Sequence, residues 1–189
     1  MNSSPKAPTR NSTETRQRIL TAARCCFSRK SYENVGMREI AGEAGVDAAL
    51  VSRYFGNKEK VFLEVIQGAF NVEEHLPAQM ADLGGFLIGQ LLSDGGADDG
   101  FNPLRLLLLA AASPETAGIV SARFHEEFVL PLAGKLGGTN APMRAALIAS
   151  YVIGVATMRH LLESPALGRT AESEAIALAS AAIQACGHG

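Results

Sequence analysis

Tryptophan is absent from the 189-residue sequence, and aromatic residues make up only 6% of it. Any core must therefore be assembled mainly from aliphatic and small side chains. Cysteine is scarce as well. There are three, two of them adjacent (Cys25 and Cys26), which does not make the disulfide framework of a small secreted scaffold. Long uncharged apolar runs are also missing. The longest within a helical pattern, 145–158, carries Ser150, Tyr151 and Thr157 and falls short of the roughly 20 apolar residues of a membrane span. Residues 1–13 contain no apolar stretch of the kind a secretory leader needs. These absences lead to the expectation of a soluble cytoplasmic protein with no membrane partner.

What is present is a 47% hydrophobic composition, enough to exclude disorder along the whole chain. The length suits one ordinary domain, or a small module joined to a modest second one. The net charge of −2 hides an asymmetry. Residues 1–63 hold 11 Lys and Arg against 6 Asp and Glu; the remainder holds 6 against 13. A basic third followed by an acidic remainder is the distribution expected when one part of a chain meets nucleic acid.

Residues 1–12, rich in Ser, Thr, Pro and Asn and carrying Lys6 and Arg10, read as a flexible basic arm. From about Thr13 the pattern turns helical, with Ile19, Leu20, Ala23, Cys26 and Phe27 at helical spacing. Two short helices are predicted at about 37–44 and 48–55. Gly45 is suited to the positive φ that ends the first, and Asp47 to capping the second. A tight Gly-containing turn between two short helices marks a helix-turn-helix. A further helix is expected from Lys58, behind the cap Asn57, to Pro77. Helical segments follow at 82–92, 104–112, from Ser113-Pro114-Glu115 towards Pro131, 141–163 and 171–186, with 93–103 as a loop. No segment alternates as a strand does, so the fold class is all-α.

The second short helix carries the chemistry. Ala48, Ala49, Ser52 and Arg53 share one face, while Val51 and Phe55 share another suited to anchoring inward. Small side chains let a helix backbone lie deep in a major groove. Arg53 can offer a donor pair to guanine O6 and N7, Ser52 a hydroxyl to base or phosphate, and Leu50 a contact to a thymine methyl. Tyr54, Lys58 and Arg38 are placed to reach phosphates, Lys58 beside the free N–H groups of a helix start.

The string REIAGEAGVDAALVSRYFGNKEKVF, within a match from about Thr13 to Val65, resembles the DNA-binding domain of the TetR family of bacterial transcriptional regulators. The Gly-Val turn, the pair Tyr54-Phe55 and the following Gly-Asn-Lys-Glu all fall in register. The resemblance implies that Tyr54 and Lys58 contact phosphate and that the helix at 48–55 reads bases. Two positions depart from the family pattern. Gly36 stands where a Ser or Thr usually caps the supporting helix and touches phosphate, and Ser52 stands where an aromatic is usual. Both point to a different operator sequence.

The resemblance further implies that residues 66–189 form a helical domain that binds a small effector and dimerises through its last two helices. Pocket candidates are Phe86, Phe101, Arg105, Phe124, Phe128, Tyr151 and Met158, with Arg105 placed either to neutralise an anionic effector or to face solvent. Interface candidates are Ala145, Ala149, Val152, Ala156, Ala175, Ile176, Ala179 and Ile183. A two-fold dimer implies a near-palindromic double-stranded operator. The implied mechanism is a pendulum-like shift of the fourth helix, about 58–76.

An enzyme is not expected. His125-Glu126-Glu127 are consecutive on a helix and point apart, the acidic loop at 94–99 lacks a calcium-loop register, and no metal-ligand spacing or cofactor motif occurs. No catalytic residue, metal or cofactor is therefore assigned. The alternative function is a helical adaptor or nucleoid-associated protein without an effector.

Overall fold

In the computed structural model, residues 10–73, 76–77, 80–92, 101–168 and 172–187 are described. The expected loop at 93–103 therefore lies largely outside them. The described residues form helices and turns with no strand. The helices are α1 (Arg10–Arg29), α2 (Met37–Ala44), α3 (Ala48–Phe55), α4 (Lys58–Ile66), α5 (Leu83–Leu92) and α6 (Pro103–Ala111). After these come α7 (Ala117–Phe124), α8 (Leu130–Leu136), α9 (Ala141–Ala156) and α10 (Glu172–Gly187). Wider turns of π type, His125–Val129 and Thr157–Leu161, join α7 to α8 and prolong α9.

The first four helices end where their punctuation dictates. Gly45 takes φ 63° to close α2, and the Asp47 side chain accepts the Ala49 N–H at 2.7 Å to open α3. Asn57 accepts the Lys60 N–H at 2.9 Å to open α4. Gly36 begins α2 without a side-chain cap, as a glycine must.

The end of α4 differs from expectation: the helix stops at Ile66, not at Pro77. Gly68, at φ 71°, turns the chain away, and the Glu127 carboxylate takes up the backbone N–H groups of Gly68 (2.9 Å) and Phe70 (3.1 Å). A second departure lies before α7. Pro114 does not open that helix, which starts at Ala117 after a turn held by Thr116, whose hydroxyl donates to the Ala110 carbonyl at 2.8 Å. At Pro131 the helix neither stops nor breaks, because the π turn before it absorbs the missing N–H.

Two cores result. One joins α1–α4 to α6 and α7 through Ile19, Phe27, Ile40, Val51, Phe62 and Leu106. Within it Phe27, Tyr32 and Phe62 form a ring cluster with centroids 5.2–5.9 Å apart. The other joins α5, α8, α9 and α10 through Leu83, Ile88, Leu132, Ile148 and Ile183. Phe124 packs on both. In the second core α5 and α10 approach so closely that a Cβ at Gly84 would lie 2.2 Å from the Ser180 carbonyl oxygen. Arg144, only 8% exposed, donates to the carbonyls of Gly137, Thr139, Cys186 and Gly187, tying the ends of α8 and α10 to the start of α9. Cys25 and Cys26 are buried. The Cys26 thiol is pushed up to about 11, first by burial and then by the charges of Glu39 and Glu43, so it stays protonated and acts as a small core residue.

Candidate functional site

The helix-turn-helix presents its second helix, α3, outward. Val51 (0% exposed) and Phe55 (4%) fix its inner face, Phe55 beneath the Arg16 guanidinium at 4.9 Å. Ala49, Ser52 and Arg53 are then exposed, with Ala48 and Leu50 half-buried at the margins. Arg53 makes no ion pair or hydrogen bond with another described residue, and Arg38, exposed in the first turn of α2, makes none either. Arg29 and Lys30, by contrast, are occupied by Glu43 and Glu39. Among the described residues of the head, the exposed cations left unpaired thus include Arg38 and Arg53, the two expected to meet DNA, together with Lys60.

Two of the three phosphate candidates, Tyr54 and Lys58, are braced before any ligand arrives. The Tyr54 hydroxyl donates to Ser12 Oγ at 3.1 Å, linking α3 to the first turn of α1. Lys58 Nζ donates to the Tyr32 carbonyl at 3.0 Å and lies 4.1 Å from the centre of the Tyr32 ring. A lysine so held is positioned at the start of α4, and two of its three donor positions remain available. Gly36, exposed at the start of α2, offers only backbone. No pattern in the sequence pointed to Tyr32 or Ser12 as supports, since both act across the fold.

Between the two cores lies a cavity of about 300 Å³. Its walls come from the α4–α5 connection (Phe70, Val72), α6 (Leu104, Leu107), α7 with the turn after it (Phe124, Phe128) and α9 (Val152, Ile153). Of the seven pocket candidates, Phe124 and Phe128 line it and five do not. Arg105 is exposed on the outer side of α6, because that helix turns Leu106 and Leu107 inward. Phe101 packs on the first core, with the Arg24 guanidinium 5.6 Å from its ring. Phe86 borders a shallow groove between α5 and α10. Tyr151 and Met158 are exposed on the far face of α9. The sequence reading missed Phe70, Leu104 and Leu107; the unbroken apolar run of α6 was the available signal for the last two.

Of the eight expected interface residues, five are turned into the protomer. Ala145, Ala149, Ala156 and Ile183 are buried inside the protomer, and Val152 faces the cavity. Ala175, Ile176 and Ala179 are half-buried against the second core. The small residues of α9 face inward because α5 and α10 crowd it. Its large apolar residues Met143, Leu147, Tyr151 and Met158 face outward instead, with Leu178 of α10 left 68% exposed. With its π turn, the α9 helix spans Ala141–Leu161, 21 residues, which by length and composition alone would suffice to cross a membrane.

A helix-turn-helix head with an exposed small-residue face is thus joined to a helical body that holds an apolar cavity, a two-part helical architecture. Residues 19–65 match the model for bacterial regulatory proteins of the tetR family, and residues 81–186 match the tetracyclin repressor-like C-terminal domain. The second match alone takes in more than half of the chain, which therefore belongs to the TetR family. The transcriptional repressor AcnR of Corynebacterium efficiens is 40% identical over 48 residues, 25% of this chain and 26% of the relative. The chain matches the curated relatives over only about a quarter to a third of their length. Among solved structures, a TetR-family regulator from Streptomyces coelicolor A3 is 26% identical with a TM-score of 0.57, covering 96% of this chain and 99% of that one. NalD of Pseudomonas aeruginosa, the secondary repressor of the MexAB-OprM multidrug efflux pump, is 19% identical with a TM-score of 0.65, covering 93% and 97%. That second likeness speaks for the fold alone.

Proposed function

We propose that this protein is a cytoplasmic, homodimeric transcriptional repressor that releases its operator when a small molecule binds, and that it performs no catalysis. Residues 13–65 serve as the DNA-reading head and 66–189 as the effector and dimerisation body. The observation that carries the reading is the α3 face: Ala49, Ser52 and the unpaired Arg53 exposed, over Val51 and Phe55 buried. That division of one short helix serves a major groove, where small side chains admit the backbone and a guanidinium pairs with guanine. Repression is supported by the match to the tetracyclin repressor-like C-terminal domain and by the repressor AcnR, similar over 48 residues.

The outward apolar residues of α9 and α10 are the surface for a second copy. A covered face accounts for the exposure of Met143, Leu147 and Leu178. The two arginines of this long helix argue for protein rather than lipid as its surroundings. Arg144 is spent on helix-end carbonyls, and Arg159 pairs with Glu172 at 3.7 Å. In such a dimer the two α3 helices would sit one DNA turn apart, about 34–36 Å.

The cavity provides the switch. Any molecule inside it presses on Phe70 and Val72, the stretch that follows α4, and α4 carries the head's Lys58. A ligand lowers operator affinity only if it binds the DNA-incompetent arrangement more tightly.

The test is a pair of variants assayed on an operator-containing duplex. Arg53→Ala should cost about 1–3 kcal/mol and relax preference at one base position. Lys58→Ala should weaken all sequences alike and make the salt slope shallower by about one. If Arg53→Ala changes neither affinity nor preference, the base-reading face is misassigned.

A further inference from the structure

The walls of the cavity say more about its occupant than its location does. At about 300 Å³ it stands at the lower end of the roughly 300–1,000 Å³ that holds drug-sized ligands. Three rings dominate it. Phe70 meets Phe124 edge to face at 5.7 Å, and Phe124 stacks on Phe128 at 5.1 Å. Around them stand aliphatic side chains such as Leu104, Leu107 and Val152. Among the described lining residues none is ionisable. The one polar side chain is Asn71, whose Oδ1 accepts the Glu73 N–H at 3.1 Å.

Among the described residues, the charged groups next in sequence to the walls are either exposed, as Glu73 is beside Val72, or engaged with other parts of the protein. Glu127, next to Phe128, spends one carboxylate oxygen on the Gly68 N–H and the other on that of Phe70. Arg123, next to Phe124, pairs with Glu126 at 3.4 Å and Glu127 at 3.7 Å. Arg105, next to Leu104, is exposed to solvent, so it cannot neutralise an anionic guest.

We infer that the cavity selects an uncharged, aromatic-sized apolar molecule and rejects ions of either sign; this rests on the reading of the cavity as the effector site. An ion entering it sheds its hydration shell and meets no opposite charge among the described lining residues, a loss that apolar walls do not return. Cations receive no better offer. The Phe124 ring already shares one face with Phe128 and meets Phe70, and attraction to the remaining phenyl faces is weaker than in a tryptophan cage. A neutral ring, by contrast, adds to the edge-to-face and stacked set already there.

The experiment uses the full chain and two fluorescent probes sharing one aromatic frame. These are uncharged N-phenyl-1-naphthylamine and its sulfonated counterpart 8-anilinonaphthalene-1-sulfonate, with phenyltrimethylammonium as a cationic competitor. The uncharged probe should bind at least about tenfold more tightly than the sulfonate, and the cation should not displace it at equal concentration. Val152→Phe, which fills the cavity, should abolish that binding. Leu104→Arg, at a half-buried wall position that leaves the core intact, should reverse the order in favour of the sulfonate. The inference is overturned if sulfonate or cation occupies the cavity as tightly as the neutral probe, with Val152→Phe removing it. It is overturned equally if no binding of the neutral probe responds to either variant.

Operator selectivity, measured without any probe, separates the two levels. Selective DNA binding with failed probe selectivity removes the ligand class and leaves the regulator. Probe selectivity without selective DNA binding removes the regulator and leaves the chemistry of the cavity.

Discussion

Glu127 holds the junction between the head and the body, and its removal should be felt in a defined pattern. Its side chain is only 15% exposed and accepts two backbone N–H groups, from Gly68 at 2.9 Å and Phe70 at 3.1 Å. Its own carbonyl accepts a third, from Val72 at 3.2 Å. That carbonyl is free to do so because the residue four positions on is Pro131, which has no N–H to return to it. A hydrogen bond to a charged group contributes about 1.5–3 kcal/mol, and less where water can replace the partner, as at exposed Gly68. Glu127→Ala should therefore cost about 2–4 kcal/mol, and Glu127→Gln, which keeps one acceptor, about 1–2 kcal/mol. Urea unfolding at fixed protein concentration measures the loss, concentration being fixed because a dimer's stability depends on it. Amide hydrogen exchange supplies the signature. Gly68 and Phe70 should exchange faster in Glu127→Ala, while Val72, bonded to the main chain, keeps its protection. If the variant stays within about 0.5 kcal/mol of the parent with Gly68 and Phe70 unchanged, the clamp does not hold the junction.

Two further outcomes follow from helix packing. Gly84→Ala should destabilise by about 1–3 kcal/mol although alanine is the better helix former, because its Cβ would meet the Ser180 carbonyl oxygen at 2.2 Å, and thermal unfolding reads this directly. Leu178→Glu should convert the proposed dimer to monomer in sedimentation with little change in helix content, since that side chain is 68% exposed within the protomer; an unchanged dimer would place the interface elsewhere.

The head was legible because its boundaries are written locally. Gly45, Asp47, Asn57 and Gly56 each act within four residues of themselves, so the limits of α2 and α3 could be read from the residues alone. The end of α4 was not, because the group that captures the chain there, Glu127, lies 59 residues away from Gly68. The faces of α9 failed for another reason. That helix is apolar nearly all round, so spacing could not say which side meets α5 and α10. Small residues suggested close approach, and Ala145 and Ala149 are packed within the protomer. Arg105 misled in the opposite sense: a lone charge in an apolar run looked like a ligand contact and instead marks the solvent side of α6.

Sequence-specific recognition of DNA by the exposed face of α3 underlies everything proposed for this protein. Its most direct test is selection of bound duplexes from a random-sequence pool by the full chain at near-physiological salt, followed by anisotropy titration of the selected and scrambled DNA. The pool should converge on a near-palindrome whose half-sites lie about one helical turn apart, bound about a thousandfold more tightly than the scrambled duplex. A pool that fails to converge, with equal affinity for both duplexes, would contradict it.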